Sequence, residues 1–214
     1  MRKLGNARIS NSKLLIDKNT LYILLAVRRS VEVSKHKNKL VIDINGDNIA
    51  CLLIDYDRCI AVFFTLNNNI SRLRVNYRRI RRYIQKKVKN TFEKNRLLEK
   101  YRTREKRRVE DIVKKVTATL VETARVYSAD IVRENLRDMK MNSKKVSRKM
   151  NYRLQTLPYR KIISNIDYKA CERGSNVIEA DAKRSLITCS PCRSVDKRNR
   201  VDSKFKCKKR GGLA

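Results

Sequence analysis

Leu40-Val41-Ile42-Asp43-Ile44-Asn45-Gly46-Asp47-Asn48-Ile49-Ala50-Cys51-Leu52-Leu53-Ile54 decides the fold of this chain. Two apolar runs of strand length flank Asn45-Gly46-Asp47-Asn48, a cluster of turn-forming residues. A third run, Cys59-Ile60-Ala61-Val62-Phe63-Phe64, follows a second separator, Asp55-Tyr56-Asp57-Arg58. Connectors this short suit antiparallel pairing of neighbours. Three consecutive strands are therefore expected over 39–66.

On the N-terminal side, Leu21-Tyr22-Ile23-Leu24-Leu25-Ala26-Val27 reads as a buried strand and Val31-Glu32-Val33 as a further short one. Residues 1–38 look like the tail of a β-rich module. On the C-terminal side, 72–128 reads as two long helices that pack as an antiparallel hairpin with a basic outer face. One apolar stripe runs through Tyr77, Ile80, Ile84, Val88, Thr91, Leu98 and Tyr101, within 72–108. A second runs through Val109, Ile112, Val116, Leu120, Ala124 and Tyr127. Residues 129–135 read as a strand ending in polar groups. Pro158 opens a helix through Tyr168 and Cys171 to Arg173, with Gly174 as its stop. Asn176–Ala180 reads as one more strand. The expected organisation is 1–38, an α/β domain over 39–184, and a Cys-, Lys- and Arg-rich tail over 185–214.

Charge narrows the function. Lys and Arg number 54 against 21 Asp and Glu, a formal net charge of +33. A surface this basic repels itself unless a polyanion neutralises it, and nucleic acid is the default partner, because Lys and Arg release counterions from phosphates. A ribosome-associated or membrane-surface basic protein is the alternative. The concentration is greatest over 72–108, with 17 Lys/Arg and 3 acids, where Arg78, Arg79, Arg81 and Arg82 alternate with Tyr77 and Tyr83. Guanidinium forks suit phosphates and aromatic rings suit bases. A second acid-free stretch, Met139 to Ile166, carries eight Lys/Arg, including Lys144 and Lys145. No apolar run is long enough to span a bilayer, no signal segment opens the chain, and no Gly-rich phosphate loop or small-molecule site is legible. A cytoplasmic protein is expected, so the six cysteines are free thiols or metal ligands.

Two acids sit in strand contexts. Asp43 lies inside Val41-Ile42-Asp43-Ile44, and Glu134 ends the 129–135 strand. A carboxylate buried in a strand is costly unless paired; divalent metal is one partner, and a two-Mg²⁺ clamp activates water at a phosphodiester. The plainer reading is that Asp43 caps the following turn and Glu134 pairs with a nearby Arg. In the tail, Cys189-Ser190-Pro191-Cys192 is a zinc-knuckle half site and Cys207 is spaced as a third ligand. Arg210 stands where a fourth is expected, and structural zinc wants four; a solvent-filled fourth position is the remaining option. Cys51, Cys59 and Cys171 read as buried small side chains, and His36 as a surface residue.

Four of these segments, in this sequence, resemble the TnpB/OrfB family of insertion-sequence proteins, relatives of the type V CRISPR effectors. They are Val41-Ile42-Asp43-Ile44 with Asp47-Asn48-Ile49-Ala50; Ala129-Asp130-Ile131-Val132-Arg133-Glu134-Asn135-Leu136; Leu157–Ile162 through Tyr168–Gly174; and Thr188–Cys192 with Val195–Asp202 and Phe205-Lys206-Cys207. The last is the most specific. The resemblance covers nearly everything after about residue 39. It implies an RNase H-like (RuvC) mixed sheet with flanking helices, the basic hairpin inserted between two catalytic acids, Asp43 and Glu134, and a degenerate zinc ribbon. It further implies Mg²⁺-dependent, RNA-guided cleavage of a DNA target, with sequence read by guide pairing. Two departures stand out: Arg210 replaces a zinc ligand, and the family's third RuvC motif, with its last Asp, lies past Ala214. The expectation is a truncated, catalytically impaired copy; the alternative is a non-catalytic RNA- or DNA-binding relic.

Overall fold

The computed structural model describes residues 8–17, 19–135, 157–180, 187–201 and 204–209. Lys144, Lys145 and Arg210 lie outside the described residues.

The chain opens with a two-stranded antiparallel ribbon, β1 (Arg8–Asp17) and β2 (Thr20–Arg28). β2 forms where expected, but it is exposed along its whole length rather than buried. Among the described residues no second layer covers the ribbon, so Ile16 stays 78% and Ile23 64% exposed. Val31-Glu32-Val33 forms no strand; the chain there meets the end of a later helix instead, where the Ser34 amide donates to the Gly174 carbonyl at 3.1 Å.

The centre is a five-stranded mixed sheet in the spatial order β5-β4-β3-β6-β7. β3 (Asn38–Ile44), β4 (Asn48–Asp55) and β5 (Ile60–Asn67) pair antiparallel in succession. β6 (Ala129–Glu134) and β7 (Val177–Ala180) add in parallel on the other side of β3. Alternation fixes the faces: Leu40, Ile42 and Ile44 of β3 and Ile49, Cys51 and Leu53 of β4 point into one core. β6, paired on both edges, is buried at four of its first five residues and carries no such alternation. The β3–β4 turn docks on the next helix. The Ser71 amide donates to the Gly46 carbonyl, and a Cβ at Gly46 would press on Ser71 Oγ at 3.3 Å.

Three α-helices complete the fold among the described residues. α1 (Ile70–Lys87) and α2 (Thr91–Val126) pack side by side. Arg81 pairs with Glu105, and Tyr77 meets Tyr101 with ring centroids 6.5 Å apart. The break falls at Val88-Lys89-Asn90, not near Arg108 as the two apolar stripes suggest. Asn90 decides it: its side chain accepts the Glu93 amide at 3.1 Å, a helix-starting cap in the middle of the first stripe. α2 also turns slightly from the expected face. Val109, Val113, Thr117, Leu120, Val121 and Ala124 are buried, while Tyr127 lies beyond the helix end. α3 (Tyr159–Glu172) packs on α2 through Ile162, Ile166 and Ala170. Pro158 precedes it and Gly174, at φ 73°, ends it, as read from the sequence. Cys51 is buried, whereas Cys59 and Cys171 are exposed; Cys59 sits at a tight turn with φ 54°, and Cys171 lies on the outer side of α3.

Candidate nuclease centre, basic face and cysteine cluster

Parallel pairing of β3 with β6 brings the two strand acids together. Asn38 stands beside Ala129 and Ile42 beside Arg133. One residue further, the same register sets Asp43 beside Glu134, on neighbouring strands about 4.8 Å apart. Both side chains alternate away from the face that Ile42 and Ile44 bury. Asp43 is exposed, so the cost of burying it in an apolar strand does not arise. It accepts one hydrogen bond, from Asn45 Nδ2 at 3.1 Å. Glu134 is half-buried; its carboxyl is pushed up, first by burial and then by the negative charge of Asp43. The phenol of Tyr159, at the start of α3, is raised for the same two reasons.

Asp47, not Asp43, ties the turn to α1, its carboxylate accepting the Arg72 amide at 3.0 Å. The neighbouring guanidinium, Arg133, is taken up by Asp167 at 2.9 Å and Glu179 at 2.8 Å. Among the described residues, the charge acting on Glu134 is therefore another carboxylate, and a cation at this edge would relieve both.

The four arginines of α1 divide. Arg79 and Arg82 are exposed, while Arg78 and Arg81 are half-buried, Arg81 against Glu105. Between α1, α2 and the start of α3 lies a cleft of about 870 Å³, lined by Arg74, Arg81, Arg102, Lys106 and Lys161 together with Glu99, Glu105 and Glu110. All three acids are paired, Glu105 with Arg81, Glu110 with Lys161 and Glu99 with Arg102. Arg74 Nε is buried with no hydrogen-bond partner among the described residues. An N–H left this way is costly until an acceptor arrives. Sequence reading missed Arg74, because nothing in the local pattern distinguishes it from its neighbours.

In the tail, Cys189, Cys192 and Cys207 converge, their Sγ atoms all within 4.8 Å of one another. Cys192 and Cys207 are 3.5 Å apart. Ser194 Oγ lies 3.2 Å from Cys192 Sγ, and hydrogen bonds from Ser194 lead the influences that depress the Cys192 thiol to about 6. A depressed thiol supplies the thiolate that metals bind. Two other residues hold the cluster in shape. Arg193 takes φ 55° to turn the knuckle back, and Cys189 accepts the Arg193 amide at 2.7 Å through its carbonyl. Asn199, fully buried, donates to the Ile187 carbonyl at 2.9 Å and accepts the Lys208 amide at 2.9 Å. It thereby ties the first cysteine loop to the second. Neither Ser194 nor Asn199 was singled out from sequence, because both act through contacts that the fold creates.

The chain is similar to known proteins. The family model described as "Cas12f1-like, TNB domain" matches residues 159–213. A TnpB-like protein of Methanocaldococcus jannaschii is 30% identical over 192 residues, covering 89% of this chain and 68% of the relative. Two solved structures share the fold. A Cas12f1–sgRNA–target DNA complex aligns over 94% of this chain at a TM-score of 0.57 and 14% identity. A CRISPR-Cas12f ternary complex aligns over 97% at a TM-score of 0.61 and 16% identity. The chain spans 51% and 42% of those two chains. Sequence likeness through the cysteine tail and across most of its length places the chain in the TnpB-like family, a relative of the type V effectors.

Proposed function

We propose that this chain carries a RuvC-type nuclease centre at the ends of β3 and β6, with Asp43 and Glu134 holding Mg²⁺. The observation that carries the reading is their register. Two carboxylates 91 residues apart in sequence stand side by side, with one charge raising the proton affinity of the other. Bound Mg²⁺ supplies Lewis-acid activation of water and of the leaving oxygen at a phosphodiester. The mixed sheet, three antiparallel strands followed by two parallel ones, supports an RNase H-like fold. In this reading α1 and α2 form the basic insertion between the two acids, and the substrate is DNA selected by a guide RNA.

Two carboxylates hold a divalent ion less firmly than three, so slow or impaired cleavage is expected of this pair. The experiment is cleavage of labelled DNA by the chain co-expressed with its flanking transposon RNA, in Mg²⁺ or Mn²⁺, against Asp43→Ala. Cutting that the substitution abolishes supports the reading. Cutting that survives it rules out this centre.

A second reading is favoured by the charge distribution: a nucleic-acid-binding protein that does not cut. The cleft under α1 is lined by Arg74, Arg81, Arg102, Lys106 and Lys161, a basic lining that suits phosphate oxygens. Salt-sensitive binding without cleavage supports this alternative. In both readings the tail holds Zn²⁺ through Cys189, Cys192 and Cys207, whose convergence fits a soft-ligand site.

A further inference from the structure

Cys189, Cys192 and Cys207 bring three thiols together, and the hydroxyl of Ser194 stands beside two of them. Around zinc, with Zn–S near 2.3 Å, neighbouring sulfurs lie about 3.8 Å apart, and an oxygen ligand lies about 3.5 Å from each sulfur. Cys192 and Cys207 Sγ are 3.5 Å apart. Ser194 Oγ lies 3.2 Å from Cys192 Sγ and 3.7 Å from Cys207 Sγ. The hydroxyl therefore sits, relative to Cys192 and Cys207, at the spacing of a ligand to the same ion.

The backbone fixes that placement. The Ser194 carbonyl accepts the Cys189 amide at 2.9 Å and the Asn199 side chain at 3.4 Å. Ser194 is thus anchored from both sides, by the first cysteine of the knuckle and by the residue that joins the two loops. A hydroxyl carried on loose chain would not be held against two sulfurs. Its half-buried position leaves one side toward solvent, where the ion enters.

We propose that Ser194 Oγ is the fourth zinc ligand of this chain, giving a three-sulfur, one-oxygen site. This rests on the reading that the tail binds zinc, and it replaces the solvent-filled corner expected from sequence. Ligation by the hydroxyl displaces its contacts to the thiols in favour of the metal, with the thiol protons released to solvent as the ion binds. An oxygen ligand among three thiolates is the weakest of the four, so the site is predicted to exchange its metal more readily than a four-thiolate one.

The test uses the full chain loaded with one equivalent of Zn²⁺ or Co²⁺. Zinc-edge X-ray absorption counts sulfur and oxygen ligands, and chelator competition gives affinity. The wild-type chain should show three sulfurs and one oxygen. Ser194→Cys, which changes one atom, should convert the shell to four sulfurs, and the cobalt form should shift its visible bands accordingly. Ser194→Ala should lose about ten- to a hundred-fold in affinity, the range seen when a metal site's supporting group is removed. Uptake of metal with three sulfurs retained in Ser194→Cys, or with unchanged affinity in Ser194→Ala, overturns the role of Ser194 while leaving the zinc reading intact. No stoichiometric uptake by the wild-type chain removes the zinc reading and this inference together.

Discussion

Lys39 Nζ lies 2.7 Å from Asp130 Oδ2, an ion pair between the second residues of two adjacent parallel strands. Asp130 is almost wholly buried and also accepts the His36 amide at 2.9 Å. Burial by itself would raise this carboxyl. The Lys39 ammonium, the His36 amide and Asn176 outweigh it and hold the group below its ordinary range.

The sign of the pH dependence follows. The folded carboxyl has a lower pKa than the unfolded one, which is about 3.9. Its contribution to stability is complete above the unfolded value and is lost as pH falls through the folded one. Asp130→Asn should cost about 1–3 kcal/mol at neutral pH, because it removes the charge opposite the partly buried Lys39 ammonium and leaves one acceptor oxygen where two donors were met. Urea unfolding from pH 7 down to pH 3 should show the variant losing less stability than wild type on acidification. An equal loss in both would contradict this assignment.

Asp43→Asn and Glu134→Gln should each remove divalent-ion binding and leave the fold in place, since Asp43 is exposed and Glu134 half-buried. Stability should change little, or rise, because the like-charge contact goes with either substitution. Calorimetric titration with Mn²⁺, beside thermal unfolding, separates the two effects. A variant that binds Mn²⁺ like wild type places the ion elsewhere.

The arginines of α1 should behave differently from one another. Arg79 and Arg82 are exposed, whereas Arg81 is committed to Glu105. If Arg79 and Arg82 contact phosphates, replacing either with Gln should lower the slope of log affinity against log salt by about 0.9 on duplex DNA, or about 0.7 on a single strand. Arg81→Gln should act mainly on helix packing and lower the melting temperature, with a smaller change in slope. Identical slopes for all three variants would show that α1 is not the interface.

Asn199→Ala should loosen the tail as a unit. It strips partners from the Ile187 carbonyl and the Lys208 amide, costing the tail about 1–3 kcal/mol. Hydrogen exchange should quicken at Lys208 and at Cys189 and stay unchanged in β3 and β6. Faster exchange across the whole sheet would mean that the tail and the sheet are not separate in stability.

How much of this was legible beforehand divides by the range of the interaction. The strands β3 to β7 and the limits of α3 were readable, because turn residues, alternation, Pro158 and Gly174 act within a few positions. Asp43 and Glu134 were found as residues, by motif and by resemblance. Their adjacency required the parallel register, which no local pattern encodes. The break at Asn90 was missed because an apolar stripe continued across it; a single side chain capping Glu93 outweighed periodicity. The burial expected for β2 does not occur, because burial depends on a second layer and none covers the strand among the described residues. Arg74, Ser194 and Asn199 owe their significance to neighbours brought from elsewhere in the chain.

The separation of Asp43 from Glu134 has a consequence for how the protein is made. At about 5–20 residues per second, a ribosome delivers Glu134 roughly 5–20 s after Asp43. In that interval β3, β4 and β5 can close through their short turns, and α1 and α2 are sequence neighbours that can pair without waiting. The free edge of β3 must wait for β6 and meanwhile offers unpaired amides and carbonyls to any passing strand. Lys39 and Asp43, one near each end of that edge, place charge where an intruding apolar strand would have to lie. The same carboxylate that is proposed to serve a metal after folding would then act during synthesis as a guard against mispairing.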